Sequence, residues 1–276
     1  MTSRKKSSYI KATEFLIQIK AILGKSLEHE ALWIFQQVLG KNDISDLSLN
    51  QTQIRRIEAI VEKRLGGKPL QLLLGQYPFR KINLKTQRGV FIPRMETEMM
   101  IDLIPNDLPS NIILDLCCGS GPIGLSIKKE KEDLVVILLD ISKKAIKLAQ
   151  RNARMNNISI DIIRGNGLSC FKDNSFSAIL CNPPYIPISD KCNLPDEVRY
   201  YDPNLSLFSG KDGLDFIKTI ATISFTKLKN KGFLCYEHGD NQAEKCRNIL
   251  NMNGFIQITS YKDMAERDRF TSCRKP

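Results

Sequence analysis

Histidine and tryptophan are almost missing from this chain: its 276 residues hold two histidines, His29 and His238, and a single tryptophan. None of the eight cysteines (Cys117, Cys118, Cys170, Cys181, Cys192, Cys235, Cys246 and Cys273) forms a C-x-x-C pair, and with so little imidazole a zinc site is not expected. Several of these thiols sit inside apolar runs, where they act as small hydrophobes, and the pattern fits a reducing cytoplasm. No apolar run is long enough to span a bilayer. Basic Arg4, Lys5 and Lys6 lead into an amphipathic pattern rather than an apolar core, so no secretory signal and no membrane association are expected. Low-complexity tracts and internal repeats are absent too. What is abundant is positive charge: the formal net charge is +11, spread along the chain rather than clustered. That balance fits an acidic partner or a surface near nucleic acid, and equally a solvated surface.

Hydrophobic residues make up 42% of the chain, enough for a substantial core. Residues 8–65 carry helical periodicity in three stripes, the first through Ile10, Phe15, Leu16 and Ile19, with Gly24 and Gly40 as helix stops. Gly66, Gly67 and Pro69 in "GGKPLQLLLGQYPF" mark a linker. The alternation in "RKINLKTQRGVFIP", with a turn at residues 86–89, predicts a β-hairpin. From about residue 110, strand and helix patterns alternate, with Ser142 as one helix cap. The chain then closes on two strands with no helix between them, an antiparallel edge pair. The expected fold is α/β: a doubly wound, mostly parallel, seven-stranded Rossmann-like sheet with a small helical N-terminal domain. The expected domains are 1–72, a hairpin linker at 73–95, and 96–276.

The loop "DLCCGSGPIG" follows the first strand of this sheet. Gly119, Gly121 and Gly124 match G-x-G-x-x-G, and Asp140 ends the next strand at the spacing of an acid that binds ribose hydroxyls. Glycines allow close backbone approach, and a helix N-terminus offers free N–H groups. A dinucleotide or S-adenosylmethionine fits this geometry. Asp115, four residues before Gly119, gives D-x-x-x-G-x-G, the pattern of class I methyltransferases. There the acid holds the cationic amino-acid end of the cofactor through water or backbone.

The segment "CNPPYIP", residues 181–187, ends the fourth strand, whose tip lies beside the first at the topological switch point. Asn182 precedes a proline, which biases it to an extended conformation and frees its side-chain oxygen. Pro183 adds a carbonyl acceptor on stiff backbone, Pro184 holds the turn, and Tyr185 offers a flat ring. Two acceptors suit a planar –NH2 group whose lone pair must localise as it attacks a methyl group. These four residues alone do not separate a carboxamide from an exocyclic amine of a base.

Taken together, the motifs resemble the peptide chain release factor glutamine N5-methyltransferases over nearly the whole chain. The resemblance is carried by "KPLQLLLG", "FIPRMETE" at 91–98, "DLCCGSG", "LLDIS", "NPPYI", "DPNLSLFSGKDGL", "GFLCYEHGDNQ" and "KDMAERDR". It implies an S-adenosyl-L-methionine-dependent transfer to the glutamine amide nitrogen in the Gly-Gly-Gln motif of class I release factors. Residue by residue it assigns Cys117, Cys118, Gly119, Ser120, Gly121 and Asp140 to the cofactor, beside Asp115. Asn166 and Gly167 flank its adenine, and Asn182 nears it. Asn182, Pro183, Pro184 and Tyr185 hold the target glutamine, with Asn182, Pro183 and Tyr185 as the catalytic set. Arg94 and Glu98 shape the cleft, and the helical N-terminal domain grips the release factor. The implied protein is a cytoplasmic monomer that needs no direct nucleic-acid binding. Three departures stand out. Cys117 replaces a usual glycine, so its backbone angle is expected to differ. Asn166 and Gly167 replace an acid and a large hydrophobe. Met95 stands where proline is common.

Three other readings compete. A nucleic-acid methyltransferase acting on adenine N6 or guanine N2 would use the same clamp, but no inserted target-recognition segment and little aromatic-basic interleaving are present. A nicotinamide-dependent oxidoreductase would share the glycine loop, but has only His238 to offer as acid-base group. A binding module without activity would not require Asn182 and Asp140.

Overall fold

The computed structural model describes residues 9–276, so Arg4, Lys5 and Lys6 lie outside the described residues. These residues divide into two compact units, the first ending at Gly75 and the second running Gln76–Pro276.

The first unit holds β1 (Ile10–Lys11), α1 (Ala12–Leu23), α2 (Glu30–Leu39), β2 (Ser48–Leu49), α3 (Gln51–Leu65) and α4 (Leu70–Leu74). Gly24 and Gly40 end α1 and α2 with φ of 71° and 67°, the left-handed angles that glycine takes at least cost. Asn50 caps α3 reciprocally with Gln53. Phe15, Ile19, Ile34, Phe35 and Ile57 are buried together in this unit's core. Two expectations change. Ile10, read into the first helical stripe, pairs with Leu49 as a short strand. Residues 70–74, read as linker, form a helical turn whose Leu70 joins the core, since Pro69 supplies a helix start and the leucine run an apolar face.

The second unit opens with a hairpin of β3 (Gln76–Phe79) and β4 (Ile82–Lys85). Its turn is at Arg80 and Lys81, not at residues 86–89, because the pairing Phe79↔Ile82 puts Tyr77, Phe79, Ile82 and Leu84 on one buried face. A 3-10 turn at Met95–Glu98 leads into α5 (Met99–Asp102). The alternating part follows: β5 (Ile112–Leu116), α6 (Pro122–Glu130), β6 (Val135–Asp140), α7 (Lys143–Met155), β7 (Asp161–Arg164) and β8 (Phe176–Cys181). Ser142 caps α7 through the Ala145 N–H. After the short α8 (Asp196–Tyr201) come α9 (Asp215–Lys227), β9 (Leu228–Glu237), α10 (Ala243–Met252), β10 (Ile256–Lys262) and β11 (Asp268–Arg274).

The seven strands run in the order β10-β11-β9-β8-β5-β6-β7. Strands β9, β8, β5, β6 and β7 are mutually parallel, and β11 is antiparallel to both neighbours. Every residue of β8 is buried, as a strand covered on both faces must be. The register pairs Leu116 with Cys181, so Cys117 and Asn182 leave adjacent strands at the same level. That is the switch point of the sheet, where crossovers diverge and open a crevice. Among the described residues no helix is long and apolar enough to cross a membrane.

Candidate active site

At this switch point a cleft is lined by the loop Cys117–Ser120, Asp140, Asn182 and Pro184, together with Thr97 and Phe91. A neighbouring cavity shares Cys117, Asp140, Ile141, Pro184 and Leu205 with it and reaches Asn166 and Gly167. The sheet thus gathers Cys117, Cys118, Gly119, Ser120, Asp140, Asn166, Gly167, Asn182 and Pro184 around one crevice.

The loop owes its shape to two acids. Asp140 accepts from the Gly119 N–H through Oδ2 at 2.9 Å and from the Ser142 N–H through Oδ1 at 2.8 Å. Burial pushes its carboxyl upward, and the N–H groups of Ser142, Gly119 and Ile141 pull it back. Asp115 is fully buried and does not line either cavity. Its Oδ2 instead accepts from the Gly124 N–H at 2.8 Å, which pins the first turn of α6 to β5. Burial pushes the Asp115 carboxyl up from 3.8 to about 8, against the pull of that N–H. The unfolded chain therefore releases this proton first, and the group's contribution to stability falls as pH rises from about 4 to about 8. Asp115→Asn keeps an acceptor for Gly124 and has no proton to lose. Urea denaturation at about pH 5 and about pH 8 is expected to show a smaller loss for the variant than for the parent.

Gly124 is required by space rather than by angle. A Cβ there would collide with Leu138 Cδ1 and lie 3.0 Å from Asp115 Oδ2. Gly124→Ala is expected to cost about 1–3 kcal/mol, read as a lowered midpoint in thermal unfolding. Gly121 begins α6 at φ 89°, with Pro122 at the first helical position. Cys117 corrects an expectation: φ is 59°, in the left-handed region that favours glycine. The loop keeps the angle despite the side chain, at a conformational cost of about 1 kcal/mol.

Across the crevice, β8 delivers "NPPY". The Asn182 Nδ2 donates to Glu237 Oε2 at 3.0 Å and to Thr97 Oγ1 at 3.2 Å. Its Oδ1 accepts no hydrogen bond within the described residues, and Asn182 lines the cleft. Tyr185 Oη donates to Glu237 Oε1 at 3.0 Å, and Thr97 Oγ1 donates to Glu237 Oε2 at 2.6 Å. Gln242 Nε2 donates to the Tyr185 carbonyl at 2.9 Å and to the Asp212 carbonyl at 3.1 Å, holding the backbone of the turn. Pro183 is buried in the turn and Tyr185 is half-buried.

Arg94 and Glu98 take separate roles. Arg94 pairs with the buried Asp202 at 2.7 Å, and Asp202 also accepts from the Ile92 N–H. This ties "FIPR" to the segment whose Pro203, Leu205 and Ser206 wall the cleft. Glu98 accepts from the Arg80 N–H and so braces the hairpin turn, away from the cleft lining. The apolar wall that Gly167 cannot supply comes from Leu205, Phe208 and Phe216. Thr97, Asp202, Glu237 and Gln242 were not picked out from the sequence. Their only sequence signal was membership in "PRMETE", "DPNLS" and "EHGDNQ", since nothing in the spacing brings residues 97, 182 and 237 together.

The family model described as "Methyltransferase small domain" matches residues 81–192. The crystal structure of a methyltransferase from Pyrococcus furiosus superposes with a TM-score of 0.55 at 14% identity, covering 71% of this chain and 90% of that one, which shows a shared fold. The structural match shows the fold alone, and the family model over residues 81–192 is that of a methyltransferase domain. In sequence, the release factor glutamine methyltransferase of Thermodesulfovibrio yellowstonii is 37% identical over 235 residues, 82% of this chain and 84% of that protein. That of Coxiella burnetii is 33% identical over 273 residues, 96% of this chain and 98% of that protein. The chain belongs to the release factor glutamine methyltransferase family.

Proposed function

We propose that this enzyme transfers a methyl group from S-adenosyl-L-methionine to the side-chain amide nitrogen of the glutamine in the Gly-Gly-Gln motif of class I release factors. One observation carries the reading of the chemistry: Asn182 has its Nδ2 tied to Glu237 and Thr97, while its Oδ1 remains free beside the cleft. The substrate reading rests on family membership, since the proteins that share most of this chain's length bear that name.

The residues present fit the cofactor. Asp140 retains acceptor capacity beyond its two backbone N–H bonds and suits ribose hydroxyls. Gly119 leaves open space where a side chain would stand. Asn166 and the apolar wall of Leu205, Phe208 and Phe216 suit an adenine ring. Asp115 acts from behind, by fixing the α6 turn through Gly124. When bound, the cofactor supplies an electrophilic methyl on a sulfonium centre. The protein's part is orientation. Asn182 Oδ1 and the Pro183 carbonyl each accept one hydrogen of the glutamine –NH2, turning the nitrogen lone pair toward the methyl. Both acceptors stabilise the positive charge that develops on nitrogen, and the proton then leaves to solvent. Tyr185, held by Glu237, lies along the planar amide. The helical N-terminal unit is assigned to recognition of the release factor.

Mass spectrometry of the glutamine-bearing peptide from a release factor co-expressed with this enzyme tests the proposal. A methyl on that glutamine is expected. Label appearing in ribosomal RNA or duplex DNA instead would favour an exocyclic-amine methyltransferase.

A further inference from the structure

Glu237 is the point on which the clamp converges. It ends β9, is 2% exposed, and accepts from Asn182 and Tyr185 of the NPPY turn and from Thr97, which is distant in the chain. A carboxamide side chain can turn over, exchanging its oxygen for its –NH2 group. In the first orientation Asn182 presents an acceptor to the cleft, and in the second a donor. Only the first can accept a hydrogen from a substrate amide. The bonds from Nδ2 to Glu237 Oε2 and Thr97 Oγ1 favour the first. Thr97 Oγ1 is a hydroxyl that could donate as readily as accept, but its 2.6 Å bond to Glu237 Oε2 commits its hydrogen there. Its lone pairs are thereby turned to Asn182. Burial pushes the Glu237 carboxyl up, while the hydrogen bonds from Thr97 and Tyr185 and the charge of Arg269, itself held to Asp263 by a 3.3 Å ion pair, pull it back toward the carboxylate.

We propose that Glu237 is a positioning residue that sets the orientation of the Asn182 amide, directly and through Thr97, so that Oδ1 faces the substrate nitrogen. This rests on the glutamine methyltransferase reading above. Glu237 lines neither cavity. Its information travels through the sense of two hydrogen bonds.

Replacing Glu237 tests this in a methyl-transfer assay with a class I release factor and labelled S-adenosylmethionine. Glu237→Met removes the acceptor at similar volume. It is expected to lower kcat about 100-fold, with S-adenosylhomocysteine affinity by calorimetry changed less than about threefold. Glu237→Gln keeps one oxygen for Asn182 and Thr97 while its –NH2 donates to the Tyr185 hydroxyl oxygen. It is expected to stay within about tenfold of the parent. The discriminating variant is Asn182→Asp combined with Glu237→Met. A carboxylate presents an acceptor whichever way it turns, so the double variant should recover at least about tenfold over Glu237→Met alone. Parental kcat in Glu237→Met, or a double variant no more active than Glu237→Met, would overturn the proposal.

Should Glu237→Met fail to fold, Asn182→Asp alone decides. Two carboxyl groups at this separation share a proton, and its loss sets two negative charges side by side that push the position-182 carboxylate out of the clamp, so kcat should fall as pH rises. The added Glu237→Gln change should abolish the fall. A flat pH profile for Asn182→Asp would overturn the proposal. If the parent enzyme itself leaves the release factor unlabelled, the functional reading fails first, and the two failures are told apart in the same assay.

Discussion

Asn182→Ala is expected to lower kcat for release-factor methylation by about a hundredfold to a thousandfold, the scale seen when one precisely placed hydrogen-bond partner is removed from a reacting centre. Two effects combine. In the proposed mechanism the substrate amide loses an acceptor in the transition state, and Glu237 and Thr97 lose the Nδ2 donor that closes their network. The first effect falls on kcat, because a nitrogen with one restrained hydrogen still binds but seldom points its lone pair at the methyl. Cofactor affinity is expected to change less than tenfold, since the glycine loop and Asp140 stand on β5 and β6. Single-turnover kinetics with S-adenosylhomocysteine calorimetry alongside separates the two. A kcat within about threefold of the parent would remove Asn182 from the chemistry.

Asp140→Asn is the second large effect, and it falls on the other half of the crevice. The two carboxylate oxygens are each engaged by a backbone N–H, from Gly119 and Ser142. An asparagine has one oxygen, so its –NH2 must face one of these N–H groups, donor against donor. Leaving a partly buried backbone donor unpaired costs about 1–3 kcal/mol, which in binding corresponds to roughly 5–150-fold. S-adenosylhomocysteine affinity is expected to fall by that factor or more, because the proposed ribose acceptor and the shape of the glycine loop are perturbed together. The readout is calorimetry, with kcat at saturating S-adenosylmethionine retained far better than in Asn182→Ala. Equal losses of kcat in both variants would mean that Asp140 serves the chemical step as well as binding.

These predictions sit on opposite walls of one crevice because of the strand register. Leu116 and Cys181 are directly opposed in a parallel pair, so whatever follows them is adjacent at the same sheet edge. The sequence pattern supported this arrangement, since alternating strand and helix segments imply parallel order and right-handed crossovers. The helix stops at Gly24 and Gly40 and the cap at Ser142 were legible because each depends on a local backbone angle or a local hydrogen bond. The hairpin turn lies away from where the sequence points: Thr86–Gly89 carries the better turn residues, while the buried faces of Tyr77, Phe79, Ile82 and Leu84 set the register elsewhere. Residues 70–74 differ from a linker for a related reason: their leucines find a core that only the folded helices create.

By itself, then, the sequence determined much of what lines the crevice: Cys117 to Ser120, Asp140, Asn182 and Pro184 are each placed by the strand or helix they adjoin. What only the tertiary structure decided is how those residues are held. Thr97, Asn182 and Glu237 are 85 and 55 residues apart along the chain, and no period or spacing links them. Their meeting depends on β9 lying next to β8, and on the Met95–Glu98 turn reaching the same sheet edge. Asp115 likewise looks like a ligand-facing acid in the sequence. Folding buries it beneath the loop, where its partner is the Gly124 N–H, because β5 is covered on both faces and the first turn of α6 closes over the one that carries Asp115.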